Sequence, residues 1–77
     1  MYLPQHLKKV TQTRNLVLVD MMGATPESVG AVRDALGAMY SVTDVQVYNG
    51  DTVEAAFAWP VAATAAASYF TALLDRA

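Results

Sequence analysis

The stretch VTDVQVYNGDTVEAAFAW, residues 42–59, decides the fold. It holds two alternating segments on either side of Asn49-Gly50, the pattern of two antiparallel strands joined by a turn. Asn-Gly favours a two-residue hairpin loop, but that register would place Val47 opposite Thr52. Directly opposed residues share a face of the sheet, so an apolar face would then meet a polar one. An odd-numbered loop removes the conflict, and we predict that Val47 pairs with Val53.

Two odd-numbered loops satisfy this condition. A loop over 49–51 gives the Val47–Val53 pair and also sets Val45 opposite Ala55. A loop over 48–50 would pair Val45 with Val53 and would set Asp44 against Glu54, where like charges repel. The sequence therefore favours the first loop.

Two helices and one further strand flank this hairpin. Residues 26–40 are predicted to form a helix after Thr25, a good N-cap, with proline in the first turn. Its apolar residues fall on one stripe, which consists of Val29, Val32, Leu36, Met39 and Tyr40. Residues 61–76 form a second, alanine-rich helix. Residues 16–19, Leu-Val-Leu-Val, are apolar on both faces, as a central strand would be. The order strand, helix, strand, strand, helix predicts an α+β domain with two helices packed on one face of a small antiparallel sheet.

In layout this order resembles a ferredoxin-like split β-α-β-β-α unit that lacks its fourth strand. We expect residues 14–77 to form a single α+β domain. Residues 1–13 form a basic N-terminal arm, either an edge strand or a short helix built on Leu3, Leu7 and Val10. The missing strand would be supplied by this arm or by a second chain, because an open sheet edge invites pairing.

The apolar faces of these elements are expected to form one core. We predict that the buried residues are Leu16 or Val17, Leu18 or Val19, Val29, Val32, Leu36, Val45, Val47, Val53, Phe57, Phe70 and Leu73. The open face of the sheet is expected to carry Ala56, Ala58, Val17 and Val19.

Composition limits the chemistry that the chain can perform. It has 77 residues, no cysteine and one histidine, His6. A disulfide framework, a thiol nucleophile and a zinc finger are therefore excluded, and a serine–histidine triad within one chain is disfavoured. A domain this small buries a modest fraction of its surface, so we expect self-association, with a homodimer as the simplest form.

Charge and hydropathy argue for a cytoplasmic protein with an uneven charge distribution. Lys8, Lys9 and Arg14 are the charged residues of 1–19 and give +3, whereas 20–77 hold two arginines and seven acids and give −5. The start of the chain lacks the pattern of an export signal. Residues 55–74 are uncharged but rich in alanine and interrupted by proline, which disfavours a membrane span.

The loop after the first strand, Asp20 to Glu27, resembles in position the metal-binding loop of the small metal-associated, copper-chaperone-like domains. That resemblance would imply metal transfer, but both expected cysteines are absent. Met21 and Met22 are more simply explained as core residues, and we predict no cofactor and no metal. The loop opens a helix, yet its acidic residues disfavour an anion there.

The first helix carries glycines in its interior, each of which costs about 1 kcal/mol relative to alanine. This suggests a flat surface against which another chain packs. We therefore predict two protein-binding patches, on this helix and on the open sheet face. Their residues are Gly30, Arg33, Asp34, Gly37, Tyr48, Ala56 and Ala58.

We expect a non-enzymatic protein-binding or regulatory module that acts by covering a partner's surface, for example a phage or mobile-element inhibitor of a host factor. One alternative is a cofactor-free enzyme or small-ligand-binding domain on a dimeric ferredoxin-like fold, using His6 or the tyrosines Tyr40, Tyr48 and Tyr69. Another is a weak nucleic-acid binder in which Lys8, Lys9 and Arg14 contact phosphates. Nucleic-acid and membrane partners are both disfavoured.

Overall fold

The computed structural model describes the backbone of residues 7–76 and the side chains of residues 7–74. It contains four strands and two helices. The strands are β1 (Lys9–Thr13), β2 (Leu16–Asp20), β3 (Val42–Tyr48) and β4 (Thr52–Phe57), and the helices are α1 (Pro26–Gly37) and α2 (Pro60–Arg76). The predicted α+β class is confirmed.

All neighbouring strands are antiparallel, and their order across the sheet is β1-β2-β4-β3. The N-terminal segment forms the edge strand β1, which turns through Arg14 and Asn15 into β2. Helix α1 packs on β3 and β4, and α2 packs on β1 and β2. Both helices contribute to one core on one side of the sheet, so the other side is open.

The predicted hairpin register is confirmed. Val47 lies opposite Val53 and Val45 lies opposite Ala55. In the three-residue loop between the strands, Asn49 and Gly50 both have positive φ values, 53° and 72°. Asparagine and glycine adopt this left-handed conformation at low cost, which is why this dipeptide serves a loop of odd length as well as the common two-residue turn.

The central strand β2 buries its valines, not its leucines. Val17 and Val19 are fully buried, whereas Leu16 is 40% exposed. The prediction that Val17 and Val19 lie on the open face is therefore wrong. The cause is the register with β4, in which Val17 pairs with Ala55 and turns toward the helices. A strand that is apolar on both faces gives no local signal for this choice.

Helix α1 begins as predicted and ends earlier. Thr25 is the N-cap, and its hydroxyl accepts a hydrogen bond from the N–H of Ser28 at 3.2 Å. The helix ends at Gly37, and Ser41 adopts a left-handed φ of 60°. The predicted continuation to residue 40 is wrong, which leaves Tyr40 81% exposed.

Strand β4 also ends two residues before the predicted boundary at 59. At this end of the strand, Phe57 makes two hydrogen bonds with Asn15. The N–H of Phe57 donates to the Asn15 carbonyl and Asn15 Nδ2 donates to the Phe57 carbonyl, both at 2.8 Å. Trp59, which the alternating pattern assigned to the same strand face as Val53 and Phe57, instead lies in the connection to α2 and is 58% exposed. Val47, at 37% exposure, is likewise outside the core because it lies at the free edge of the sheet.

Most of the remaining core is as predicted. Val29, Val32, Leu36, Val53, Phe57 and Phe70 are buried. Val45 and Leu73 are partly buried and pack against that cluster. The core also includes Leu7, Met21, Ala55, Ala63 and Ala66, which lie between the sheet and its two helices.

Candidate functional site

An apolar groove lies between the end of α1 and the first turns of α2. It has a volume of about 270 Å³ and is lined by Met39, Tyr40, Ala62, Ala65, Ala66 and Tyr69. We call it the aromatic groove. Its floor is alanine because α2 carries small side chains there, and its walls are the two tyrosines.

The aromatic groove continues into other exposed apolar side chains. Val61 is 76% exposed and Trp59 is 58% exposed. Val61, Ala65 and Tyr69 follow one another at four-residue spacing and so share one face of α2. The Tyr69 ring meets Phe70 edge to face, with centroids 5.2 Å apart and planes at 87°, which holds Tyr69 against the core. The exposed apolar surface is therefore continuous over two turns of α2.

The chemistry of the aromatic groove suits apolar side chains of a partner. No charged residue lines it, and its polar groups are the phenols of Tyr40 and Tyr69. Substrate pockets usually combine a volume of about 300–1,000 Å³ with converging polar groups. Exposed aromatic residues and methionine are instead the side chains enriched in protein–protein interfaces.

Sequence analysis missed this groove. It assigned Met39 and Tyr40 to the buried stripe of a longer helix, and it named Tyr40 and Tyr69 for a cofactor-free enzyme. The sequence signal that indicates such a groove is that the chain has more apolar residues than a core of this size needs.

A row of polar side chains crosses the open face of the sheet on β3 and β4. Gln46 Nε2 donates to Asp44 Oδ2 at 2.9 Å. The Tyr48 hydroxyl lies 3.0 Å from Glu54 Oε1 and 2.9 Å from Gln46 Oε1, and its one hydrogen serves one of them at a time. We call Asp44, Gln46, Tyr48 and Glu54 the polar row.

The polar row is acidic and changes the titration of its tyrosine. The hydrogen bond to Glu54 raises the pKa of Tyr48 above its ordinary value, and the charges of Glu54 and Asp44 act in the same direction. Both carboxylates would also repel a phosphate group. This disfavours nucleic-acid binding on the open face.

Beside the polar row lies a shallow depression of about 330 Å³ over β1 and β2. Its lining residues are Thr11, Thr13, Leu16, Leu18 and Glu54. The open face is thus apolar on the β1–β2 side and acidic on the β3–β4 side.

The predicted protein-binding residues lie on separate surfaces. Gly30, Arg33 and Asp34 lie on the side of α1 away from the core, where Arg33 and Asp34 form an exposed ion pair at 3.3 Å. Gly37 lies at the end of α1 beside Val45 of β3. Tyr48 and Ala56 lie on the open face of the sheet, on the opposite side of the molecule. Ala58 is exposed in the connection after β4, where its N–H donates to the Ser41 carbonyl at 2.9 Å. The structure does not bring these residues into one site.

The three basic residues are spread along the β1–β2 hairpin. Lys8 and Lys9 are exposed at the start of β1, and Arg14 is exposed in the turn at its other end. Five residues of strand separate these ends by about 17 Å. They form a basic edge to the sheet and not one compact phosphate site.

The loop after β2 offers no matched pair of methionine ligands. Met21 is fully buried and Met22 is 62% exposed, so one of the two is the core residue that was expected. Within residues 7–74, no cluster of three or more histidine, cysteine, aspartate or glutamate side chains could hold a metal ion. His6 lies outside the residues described.

Comparison with known proteins adds no relatives. No family model matches the chain, and no curated protein or solved structure matches it. Among the helices described, none has the length and apolar character needed to cross a bilayer.

Proposed function

We propose that this chain is a non-enzymatic protein-binding module that acts by docking its aromatic groove on another protein. The observation that carries the proposal is the continuous exposed apolar surface from Tyr40 across Ala65 to Tyr69, with Val61 and Trp59 beside it. Water contact with such a surface is unfavourable by roughly 25 cal/mol per Å², so covering it supplies free energy for association.

The partner is expected to present large apolar side chains on a helix or an extended segment. The two tyrosines would flank such a side chain, and the alanine floor would let the partner's backbone approach closely. Binding of this kind blocks whatever else uses that surface of the partner. Occlusion is thus the mechanism that we propose, and it fits a regulator or inhibitor, for example one made by a phage or mobile element against a host factor.

We further propose that the fold is a rearranged ferredoxin-like unit. Elements β2, α1, β3, β4 and α2 keep the split β-α-β-β-α order, and β1 takes the edge beside β2 that a final strand would occupy. We expect the protein to work in the cytoplasm and to self-associate, since its small core and unpaired sheet edges both favour association.

The test compares two glutamate substitutions on α2. Ala65→Glu places a carboxylate in the aromatic groove, whereas Thr71→Glu places one on an exposed position of the same helix about 120° away around its axis. Tagged wild type and both variants are used to capture proteins from cells that naturally make this chain. We expect a partner that the wild type and Thr71→Glu retain and that Ala65→Glu loses.

Circular dichroism and an NMR amide spectrum establish that both variants are folded. If no captured protein distinguishes Ala65→Glu from Thr71→Glu, the aromatic groove is not the docking surface and the proposal is wrong.

A further inference from the structure

The free edge of β3 has an assignable set of backbone groups. The N–H of Phe57 donates to the Asn15 carbonyl, so Phe57 directs its groups at β2. In an antiparallel ladder this direction alternates from one residue to the next, so Ala56 and Glu54 direct their backbone groups at β3. Their partners on β3, Asp44 and Gln46, direct theirs at β4. Val45 and Val47, which alternate with those partners along β3, therefore direct their N–H and C=O groups at the free edge.

The free edge of β1 follows by the same alternation. Val17 and Val19 direct their backbone groups at β4, so Leu16 and Leu18 direct theirs at β1. The β1 partners of those leucines are Thr11 and Thr13. Val10 and Gln12, which alternate with them along β1, therefore direct their backbone groups outward. Each edge thus offers two residues with unpaired backbone groups among those described.

The two edges carry opposite charge. Lys8, Lys9 and Arg14 lie along the β1 edge, and no acidic residue lies on that strand. The β3 edge carries Asp44, with Glu54 on the neighbouring strand. Pairing two β1 edges would bring basic residues together, and pairing two β3 edges would bring no opposite charges together, whereas β1 against β3 brings unlike charges together.

We propose that copies of this chain assemble head to tail, with β3 of one copy antiparallel to β1 of the next. In the register that uses all the free groups, Val47 lies opposite Val10 and Val45 opposite Gln12 of the next copy. The inference deepens the self-association part of the proposed function and does not involve the aromatic groove.

In this register the outward-facing side chains also match. Asp44 lies opposite Thr13 of the next copy and beside its Arg14. Tyr48 of the polar row lies opposite Lys9. The interface therefore places the apolar pair Val47 and Val10 on the helix side of the sheet and sets Asp44 beside Arg14 on its open side.

Strand direction allows the sheet to continue in this way. Because four antiparallel strands alternate in direction, β1 and β3 of one copy run opposite to each other. Repeating the unit therefore keeps every pair antiparallel and keeps all helices on one face. Each helix covers two strands, a width of about 9.6 Å, which matches the 8–10 Å between packed helices.

A small residue of a helix lies above each of the two edges. A Cβ added at Gly37 would meet Val45 of β3 at 4.0 Å, so Gly37 lies above that edge. The Thr64 hydroxyl accepts a hydrogen bond from Gln12 Nε2 at 2.9 Å, so Thr64 lies above the β1 edge. At this level of the proposed interface, α1 of one copy and α2 of the next therefore present small residues.

Two proline variants test the proposal. Val47→Pro and Val10→Pro each remove an N–H that has no ladder partner among the described residues, so each blocks one edge without cutting a described ladder bond. In sedimentation velocity at low salt, we expect the wild-type mass to grow with concentration and each variant alone to stay monomeric. An equimolar mixture should form a one-to-one dimer, because each variant keeps the edge that the other has lost.

Three outcomes would overturn the proposal: a wild type that stays monomeric, a single proline variant that still self-associates, or a mixture that stays monomeric. If either proline substitution prevents folding, a pair of charge reversals tests the proposal instead. Asp44→Arg and Arg14→Asp should each weaken assembly about threefold to tenfold, and the double variant should restore it. Equal assembly in all four proteins would also refute the pairing.

Ala65→Glu in the aromatic groove should leave assembly unchanged. Failure of head-to-tail pairing therefore leaves the groove proposal intact, and loss of a groove partner leaves this one intact.

Discussion

Tyr48 and Glu54 share a hydrogen bond of 3.0 Å on the open face of the sheet, on neighbouring strands. The bond and the charge of Glu54 favour the protonated phenol, which is why the pKa of Tyr48 lies above its ordinary value. A raised pKa in the folded state means that the bond stabilises the fold below the ordinary tyrosine pKa. That contribution is lost as pH rises through the folded pKa.

We predict that Glu54→Gln lowers the pKa of Tyr48 back toward the ordinary value. The measurement is an alkaline titration of the tyrosine ring carbons by NMR, with Tyr48→Phe used to assign the resonance. An unchanged Tyr48 titration would mean that the bond to Glu54 is not formed in solution.

Ser41 has a backbone conformation that favours glycine. Its φ is 60°, and its buried hydroxyl has no hydrogen-bond partner among the residues described. We expect Ser41→Gly to stabilise the fold by about 1 kcal/mol, because left-handed backbone costs L residues about that much. For a domain of this size, that shift raises the melting temperature by about 4–8 °C.

Ser41→Ala is the matched control, since it removes the hydroxyl and keeps the strained backbone. It should gain less than Ser41→Gly. Destabilisation by Ser41→Gly would show that residue 41 is not left-handed.

Gly30 lies inside α1 with no heavy atom within 4 Å of the position that a Cβ would occupy. Gly30→Ala should therefore stabilise the monomer by about 0.5–1 kcal/mol through helix propensity alone. The same substitution at Gly50, where φ is 72°, should destabilise it by about 1 kcal/mol. Urea unfolding of dilute protein measures both, and a loss of stability in Gly30→Ala would reveal a contact that the fold does not contain.

The orientation of α2 can be tested with two substitutions to alanine. Phe70 is fully buried, and Phe70→Ala should cost about 3–5 kcal/mol, a large share of the total stability expected for a chain of this length. Val61 is 76% exposed, and Val61→Ala should change stability by about 0.5 kcal/mol or less. Similar losses at both positions in thermal unfolding would contradict the orientation of α2.

Sequence alone could predict the hairpin register because the period-two pattern allows few alternatives. The pairing of Val47 with Val53 follows from matching apolar faces and needs no knowledge of the rest of the chain. The start of α1 was predictable for a similar reason, since Thr25 and Pro26 are strong local signals.

The features that sequence could not predict depend on contacts between distant segments. Which residues of β2 are buried is decided by its register with β4, because Leu-Val-Leu-Val is apolar on both faces. The early ends of α1 and β4 depend on the left-handed Ser41 and on the bonds of Asn15 to Phe57. The aromatic groove is the consequence of those two ends, since they release Tyr40 and Trp59 from the core.

The most direct test of the docking account is site-specific photo-crosslinking in the cells that make the protein. A photoreactive phenylalanine is placed at Ala65, in the aromatic groove, or at Thr71, elsewhere on α2. The account predicts a covalent adduct between position 65 and a partner protein of another sequence, and no such adduct from position 71. The same adduct from both positions, or from position 71 alone, would contradict docking through the aromatic groove.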